Sequence, residues 1–570
     1  MSALGWRNSV AQGLAPVLLL IAGCSADETE SATNDDVGSG ALDDSGEPGD
    51  GGPDDVADGS SGPPTDVCED GLPLRAWEEG ETGVVRRALA GDFTIRTVQG
   101  REFNLRTDWT GCDSFIFIPD QIPNSQIDPA SIWTRDIDAL VAASPPNVHY
   151  FFVSTLPREA SALAAVDSMA RRVEQALDTL PREESDYWFE RMHVVDTGAA
   201  QLPNWLKDTF AGAGREGFAI DRFQRVRGIG SFADVTRYNA TLAAQEAWPW
   251  ESNLANAARE ARFFNAEVRR EQELAALTDV TEVMIHSGEV IEQFAESDIM
   301  LPDAATMATF DGLQIDVTQL CPNNAAPEFG NCGAWDYLAY LFVYDGETRL
   351  ELARFITTYH REGRFIVDAT PMLVHLRDGG MRKFRWEWAP EWNKQPTATR
   401  VSLRFLRAGA ADRPEELIPL WSGGLFTPDY NERQAPIQAQ IPADAKRVEL
   451  WAIITGHGAE YLNCAEFCDH QHEVRINGDV YLRTHPSVGN DQGCVDEVEN
   501  GMTPNQWGTW WFGRGGWCPG QQVEPWIEDV TDSVVPGQTA DLVYTGLLNG
   551  LSPQQNAGNI HMTSYLVVYR

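Results

Sequence analysis

Arg400-Val401-Ser402-Leu403-Arg404-Phe405-Leu406 places Val401, Leu403 and Phe405 at alternate positions. This is the two-residue period of a strand with one face in a core. The same alternation returns in Glu282 to Ser287, Tyr340 to Tyr344, Val448 to Ile454, His472 to Ile476 and Thr563 to Val568, with Gly, Pro, Asn and Asp between the runs. From about residue 275 helical periodicity nearly vanishes, and short strands at regular spacing predict antiparallel sandwiches. The roughly 295 residues that remain suit two such domains, with a break near residues 426–442. Trp335, Trp386, Trp388, Trp392, Trp507, Trp510, Trp511, Trp517 and Trp526 enrich this half. Most are expected in cores, while those beside acids in Gly-rich loops suit stacking on sugar rings.

Upstream the pattern differs. Strand-like runs at Phe93 to Val98, Ser114 to Pro119, Val148 to Ser154 and His193 to Asp196 alternate with helical runs at Ala160 to Leu180 and Gln201 to Phe210. Such alternation predicts an α/β sheet domain. Gly91-Asp92-Phe93-Thr94, Gly100 to Leu105 and Phe218-Ala219-Ile220-Asp221-Arg222-Phe223 give residues 80–235 a look similar to a thioredoxin-type domain. No Cys-x2-Cys follows the strand ending at Pro119, so the usual redox exchange is not expected. A polar amphipathic helix from Asn253 to Leu277 leads out of this domain.

The N-terminus carries Arg7, an apolar run from Leu14 to Ile21, and then Ile21-Ala22-Gly23-Cys24. The run is too short for a span of roughly 30 Å of hydrocarbon and reads as a secretory signal. The small pair before Cys24 resembles a bacterial lipobox, which makes Cys24 the expected lipidated residue and a lipid the only membrane anchor. Ser25 at the next position resembles lipoproteins sent to the outer membrane, so an exported protein of the outer membrane or cell surface is expected. Ser25 to Val67 is acidic and Gly/Ser/Pro-rich, without Lys or Arg, and predicts a disordered tether. Part of the net charge of -42 sits there, and the remaining acidity argues against nucleic acid or anionic lipid as a partner. The domains expected are a signal peptide (1–23), the tether (24–67), the α/β domain (68–250), a linker helix (251–277) and two sandwiches (278–430 and 431–570).

Without Cys24, eight cysteines remain, an even set that reads as disulfides in an exported chain. Neighbours in sequence are the favoured pairs: Cys68 with Cys112, Cys321 with Cys332, Cys464 with Cys468, and Cys494 with Cys518. No Cys-x2-Cys or Cys/His quartet points to zinc. His470-Gln471-His472 offers a His-x-His pair, but no second histidine cluster accompanies it in the sequence, and no metal is expected.

Three carboxylates stand in settings suited to proton chemistry. Asp336 follows Cys332-Gly333-Ala334-Trp335, Glu387 lies between Trp386 and Trp388, and Glu466 sits inside Cys464-Ala465-Glu466-Phe467-Cys468. Acids beside indoles in partly dry surroundings have raised pKa values, which suits proton transfer near neutral pH. Cys332 to Asp336, Arg354-Phe355-Ile356-Thr357, Glu387, Cys464 to Cys468 and Arg514-Gly515-Gly516-Trp517-Cys518-Pro519-Gly520 together resemble the peptide-N-glycosidase F family in order and spacing, over about residues 276–570.

The resemblance implies two jelly-roll domains with a site between them. It also implies hydrolysis of the amide joining Asn to the innermost N-acetylglucosamine of an N-glycan, acting on glycoproteins or glycopeptides as a monomer without cofactor. Asp336 matches the primary catalytic acid, Glu466 a carboxylate that binds the chitobiose core, and Glu387 a supporting acid that organises water. Arg514 and Trp517 match residues for hydrogen bonding and ring packing, and Trp335 an aromatic beside the catalytic acid. Ala334 stands where the characterised enzyme has an acid, Tyr337 where it has an arginine, and His457 where it has a tryptophan, which puts glycan preference in question. Two alternatives remain from other classes: an endo-acting glycoside hydrolase using two carboxylates, and a surface glycan-binding lipoprotein without turnover.

Overall fold

The computed structural model describes residues 67–120, 131–212, 217–244, 250–458 and 464–570. The expected signal peptide, Cys24 and the tether up to residue 66 lie outside them. No described helix is long and apolar enough to cross a membrane. All four disulfides pair as the sequence favoured.

In the N-terminal part a five-stranded sheet runs Met192–Val194, Val148–Val153, Ser114–Pro119, Phe218–Ile220, Val226–Arg227. The first three strands are parallel and the last two antiparallel to their neighbours. Ser114–Pro119 is buried throughout because both faces are covered, so its sequence is a continuous apolar run and not an alternating one. Phe115 and Phe117 pack with Phe93, Leu206 and Phe210 on one face. Ile116 and Ile118 face the core that holds the helices Glu159–Leu177 and Asn256–Ala276.

The second of these helices differs from its expectation as a polar linker. Asn256, Ala257, Ala258, Glu260, Ala261, Phe263 and Phe264 are all buried. The core around them also takes in Cys494, Trp507, Trp510, Trp511, Cys518 and Tyr359 from the β-rich half. Glu260 is tolerated there because Arg361 pairs with it at 2.9 Å and Asn505 donates to it at 2.7 Å. A buried charge is stable only with such partners.

The C-terminal half is mostly β and antiparallel. One sheet orders Val280–Ile291, Thr397–Leu406, Gly312–Leu320, Gly363–Asp368. It shares a core with Phe294–Asp303, Gly379–Glu387, Leu338–Asp345, Thr348–Ile356, Gln521–Gln522. Val401, Leu403 and Phe405 are fully buried in that core, as their alternation predicts. The second pair of sheets orders Pro414–Leu425, Asn559–Tyr569, Arg447–His457, Trp526–Asp529 and Ile437–Gln440, Thr539–Leu548, His470–Ile476, Asp479–Arg483, around a separate core.

The expected boundary at residue 430 is displaced. Pro414–Leu425 pairs with Asn559–Tyr569 and so lies in the second pair of sheets, which places the crossover in the turn 407–413. The turn-rich stretch 426–442 instead holds the short helix Tyr430–Arg433, with Tyr430 packed into the same core. In the other direction, Gln521–Gln522 extends a sheet of the first pair through Phe355 and Ile356.

Candidate active site

The two sheet pairs meet through buried polar groups. Arg354 makes a two-pronged pair with Glu351, 2.9 Å at each contact, then donates to Thr455 Oγ1 at 3.0 Å and to the His561 carbonyl at 2.8 Å. Thr563 Oγ1 donates back to Glu351 at 2.6 Å. This bridge fixes the end of the strand Thr348–Ile356, from which residues 357–361 run on into the site.

Asp336 lies in the turn between Cys332 and the strand Leu338–Asp345, and its backbone neighbours are held on both sides. The Tyr337 amide donates to Thr357 Oγ1 at 2.8 Å, and that hydroxyl donates to the Trp335 carbonyl at 2.6 Å. The Ala334 amide donates to Gln395 Oε1 at 3.0 Å. Glu466 is held through the Cys464–Cys468 turn: its amide donates to the Gly458 carbonyl at 3.2 Å, and its carbonyl accepts from the Gly515 amide at 2.7 Å. A short cross-linked turn of this kind limits the freedom of the carboxylate before any ligand arrives.

Arg514 joins the two acids. Its Nε contacts Glu466 Oε1 at 3.1 Å and its Nη2 lies 3.4 Å from Asp336 Oδ2, with the side chain fully enclosed. The remaining donors reach the carbonyls of Phe512 at 2.7 Å and Thr509 at 2.9 Å. The guanidinium centre sits 5.1 Å from the Phe467 ring and 5.0 Å from the Trp517 ring. With its fork saturated and its faces against aromatic rings, the cation has one position open to it.

The electrostatics follow from this enclosure. Burial pushes the Asp336 carboxyl above its ordinary range, with Arg514 and then the Tyr359 hydroxyl opposing. Burial pushes Glu466 up to about 7, Arg514 opposing and Asp336 adding to the rise. Burial works against the Arg514 cation, but Tyr359, Asp336 and Glu466 outweigh it and raise its pKa. Near neutral pH Glu466 is thus able to both give and take a proton beside a permanent cation.

Tyr359 is the residue that sequence reasoning missed. Its phenol lies against Asp336 and Arg514 and is itself held protonated, chiefly by burial. Its amide accepts no choice of position: it donates to Gln506 Oε1 at 2.9 Å, and its carbonyl takes the Trp507 amide at 3.2 Å. The only signal in the sequence was its place two residues after Thr357.

Other expected residues fall in two groups. Trp335 is 46 % exposed beside Asp336, and Tyr337 accepts from Asn393 Nδ2 at 2.6 Å with Trp392, 80 % exposed, edge-on to its ring. These rings form an open aromatic rim. Trp517 and His457 instead stack on one another, centroids 5.1 Å apart, with Trp517 buried and donating to the Gly456 carbonyl at 2.9 Å. Burial holds His457 neutral, and its Nε2 lies 2.9 Å from Thr455 Oγ1. Glu387 is not brought into the trio: it is paired with Arg385 at 2.7 Å and Arg349 at 3.1 Å on the outer face of its strand.

Residues 428–567 match the family model described as peptide-N-glycosidase F, C terminal. Peptide-N(4)-(N-acetyl-beta-D-glucosaminyl)asparagine amidase F of Elizabethkingia miricola is 24% identical over 276 residues, 45% of this chain and 73% of that protein. A crystal structure of peptide-N(4)-(N-acetyl-beta-D-glucosaminyl)asparagine amidase aligns at 19% identity and a TM-score of 0.42, covering 51% of this chain and 96% of that one. PNGF-II aligns at 12% identity and a TM-score of 0.39, covering 53% and 68%.

Proposed function

We infer, from a C-terminal half that is peptide-N-glycosidase F-like in sequence, that this protein hydrolyses the amide between Asn and the innermost N-acetylglucosamine of N-linked glycans. The observation that carries the reading is Arg514 held between Asp336 and Glu466. Hydrolysis adds water across the bond from the Asn side-chain carbonyl carbon to its nitrogen. Hydroxide goes to the carbon, leaving Asp, and the proton goes to the nitrogen, leaving a 1-amino sugar that releases ammonia in water.

Asp336 takes the proton from the attacking water and returns it to the departing nitrogen. Glu466, half protonated near pH 7, hydrogen-bonds the first sugars, and Arg514 keeps the acid pair from neutralising completely. Trp335 offers its exposed ring to a sugar face. Glu387, tied to two arginines, is left a supporting role through the sheet. The same reading takes the two sheet pairs as jelly rolls, the N-terminal sheet as thioredoxin-like, and Cys24 as the lipid attachment of an outer-membrane or surface protein.

The test is incubation of the protein with a bi-antennary glycopeptide, with products read by mass spectrometry. Released intact glycan with Asn converted to Asp is expected, slowed about 10³-fold by Asp336→Asn. A single N-acetylglucosamine left on the peptide would refute amide cleavage in favour of a glycosidase. Binding without product would make the protein a glycan-binding one.

A further inference from the structure

We propose that His470, His472 and His485 form a buried site for one imidazole-seeking first-row transition-metal ion, zinc or copper in class. His470 and His472 are two residues apart on the strand His470–Ile476, so both rings leave the same face. His485 comes from the loop after Asp479–Arg483 and meets them there. Two of the rings are fully buried and the third is 5 % exposed. One nitrogen from each lies within 4.8 Å of the others, and ring centroids are 5.0, 4.6 and 5.9 Å apart.

The hydrogen bonding among the three is incomplete in a way a metal would complete. His470 Nδ1 and His472 Nε2 face each other at 2.8 Å and share one proton at most. His485 Nε2 is buried without a hydrogen-bond partner. A tetrahedral centre with bonds of about 2.0–2.1 Å needs nitrogens about 3.3 Å apart, so the facing pair has to open by roughly 0.5 Å to admit an ion in place of the proton. His472 Nδ1 lies 2.7 Å from the Tyr544 hydroxyl, which in turn lies 3.0 Å from that of Tyr430. An outer hydrogen bond of this kind fixes the tautomer and orientation of a ligating imidazole.

The donor set chooses the metal. It holds three neutral nitrogens and neither carboxylate nor thiolate, which disfavours Mg²⁺ and Ca²⁺ and suits zinc or copper. Space is made by backbone: a Cβ at Gly456 or Gly515 would overlap His470, and one at Gly516 would lie 2.9 Å from His485 Cε1. Gly515 and Gly516 directly follow Arg514, so an ion here would brace the turn that presents the guanidinium. The site is closed on all sides, and its role is to hold that turn.

The test needs no enzymatic readout and so stands apart from the proposed hydrolysis. The full chain, purified without a histidine tag and stripped with a chelator, is titrated separately with Zn²⁺ and Cu²⁺, and bound metal is counted after gel filtration. One equivalent per chain is expected, with a rise in the thermal midpoint and at least a tenfold loss of affinity in His472→Gln and His485→Gln. X-ray absorption of the loaded wild type is expected to show three imidazoles at about 2.0 Å, which decides the matter if either variant misfolds. The tighter of the two metals identifies the ion. Binding below one equivalent, binding unchanged in both variants, or a first shell without imidazole would overturn the proposal.

Discussion

Replacing Arg514 by Met tests the electrostatic account of the site most directly. The guanidinium lies 3.1 Å from Glu466 and 3.4 Å from Asp336. At an effective dielectric of about 20, each contact is worth about 5 kcal/mol of attraction. Without the cation the carboxylates escape by protonation, which caps the cost at the usual penalty for breaking a buried pair, about 3–5 kcal/mol at pH 8. The variant's folded state holds protons that the unfolded chain has released above about pH 4.3, so its stability falls further behind wild type as pH rises from 5 to 8. The assay is urea unfolding followed by tryptophan emission at both pH values. Because a chain of several cores need not unfold in two states, the midpoint of the transition is the quantity to compare. Adding Asp336→Asn and Glu466→Gln to the Arg514→Met chain is expected to remove the excess loss at pH 8. An equal loss at both pH values, or a triple variant that keeps the pH dependence, would show that Arg514 does not set the protonation of the two acids.

Glu466, held up to about 7, predicts a limb near pH 7 in the pH–rate profile that disappears in Glu466→Gln. Its contribution to stability is expected to decline as pH rises from about 4.5 to 7, because the unfolded group releases its proton first. Replacing Cys464 and Cys468 by Ser together is expected to cost about 2 kcal/mol in unfolding experiments, the loop being short. The same pair of changes lowers turnover by more than that figure alone implies, since the turn aims Glu466. Gly508→Ala puts a methyl into the Tyr359 ring; an activity loss of about tenfold or more with little change in the glycopeptide KM is the outcome expected from a misplaced positioning residue.

How far the sequence told this in advance depends on whether the signal was local. The strand 400–406 was legible because Val401, Leu403 and Phe405 alternate with outward residues and the core rewards that period. The strand Pro414–Leu425 was not, because three register shifts and Pro419 break its alternation. The helix Asn256–Ala276 read as polar because Glu260 and Glu267 look like solvent residues. Their partners, Arg361 and Arg227, lie 101 and 40 residues away. Asp336, Glu466 and Arg514 stand out through their resemblance to peptide-N-glycosidase F motifs, and the structure brings these three together. Tyr359 has no motif of its own, and only tertiary packing sets it against Asp336. Glu387 shows the limit of arguing from flanking residues: on a strand neighbours point to the other face, so Trp386 and Trp388 are buried while Glu387 pairs with Arg385 and Arg349.

The hydrogen bonds from Asn505 to the helix at Asn256 and Glu260 close loops of 249 and 245 residues. Contacts of such separation repay their closure entropy only after the local strands and helices exist, so they belong to the late steps of folding. The segment they secure is the one that carries Arg514. A chain with both sets of sheets formed but the helix Asn256–Ala276 undocked would therefore keep most of its secondary structure and lack an assembled acid pair, and on refolding catalytic competence should return more slowly than circular dichroism.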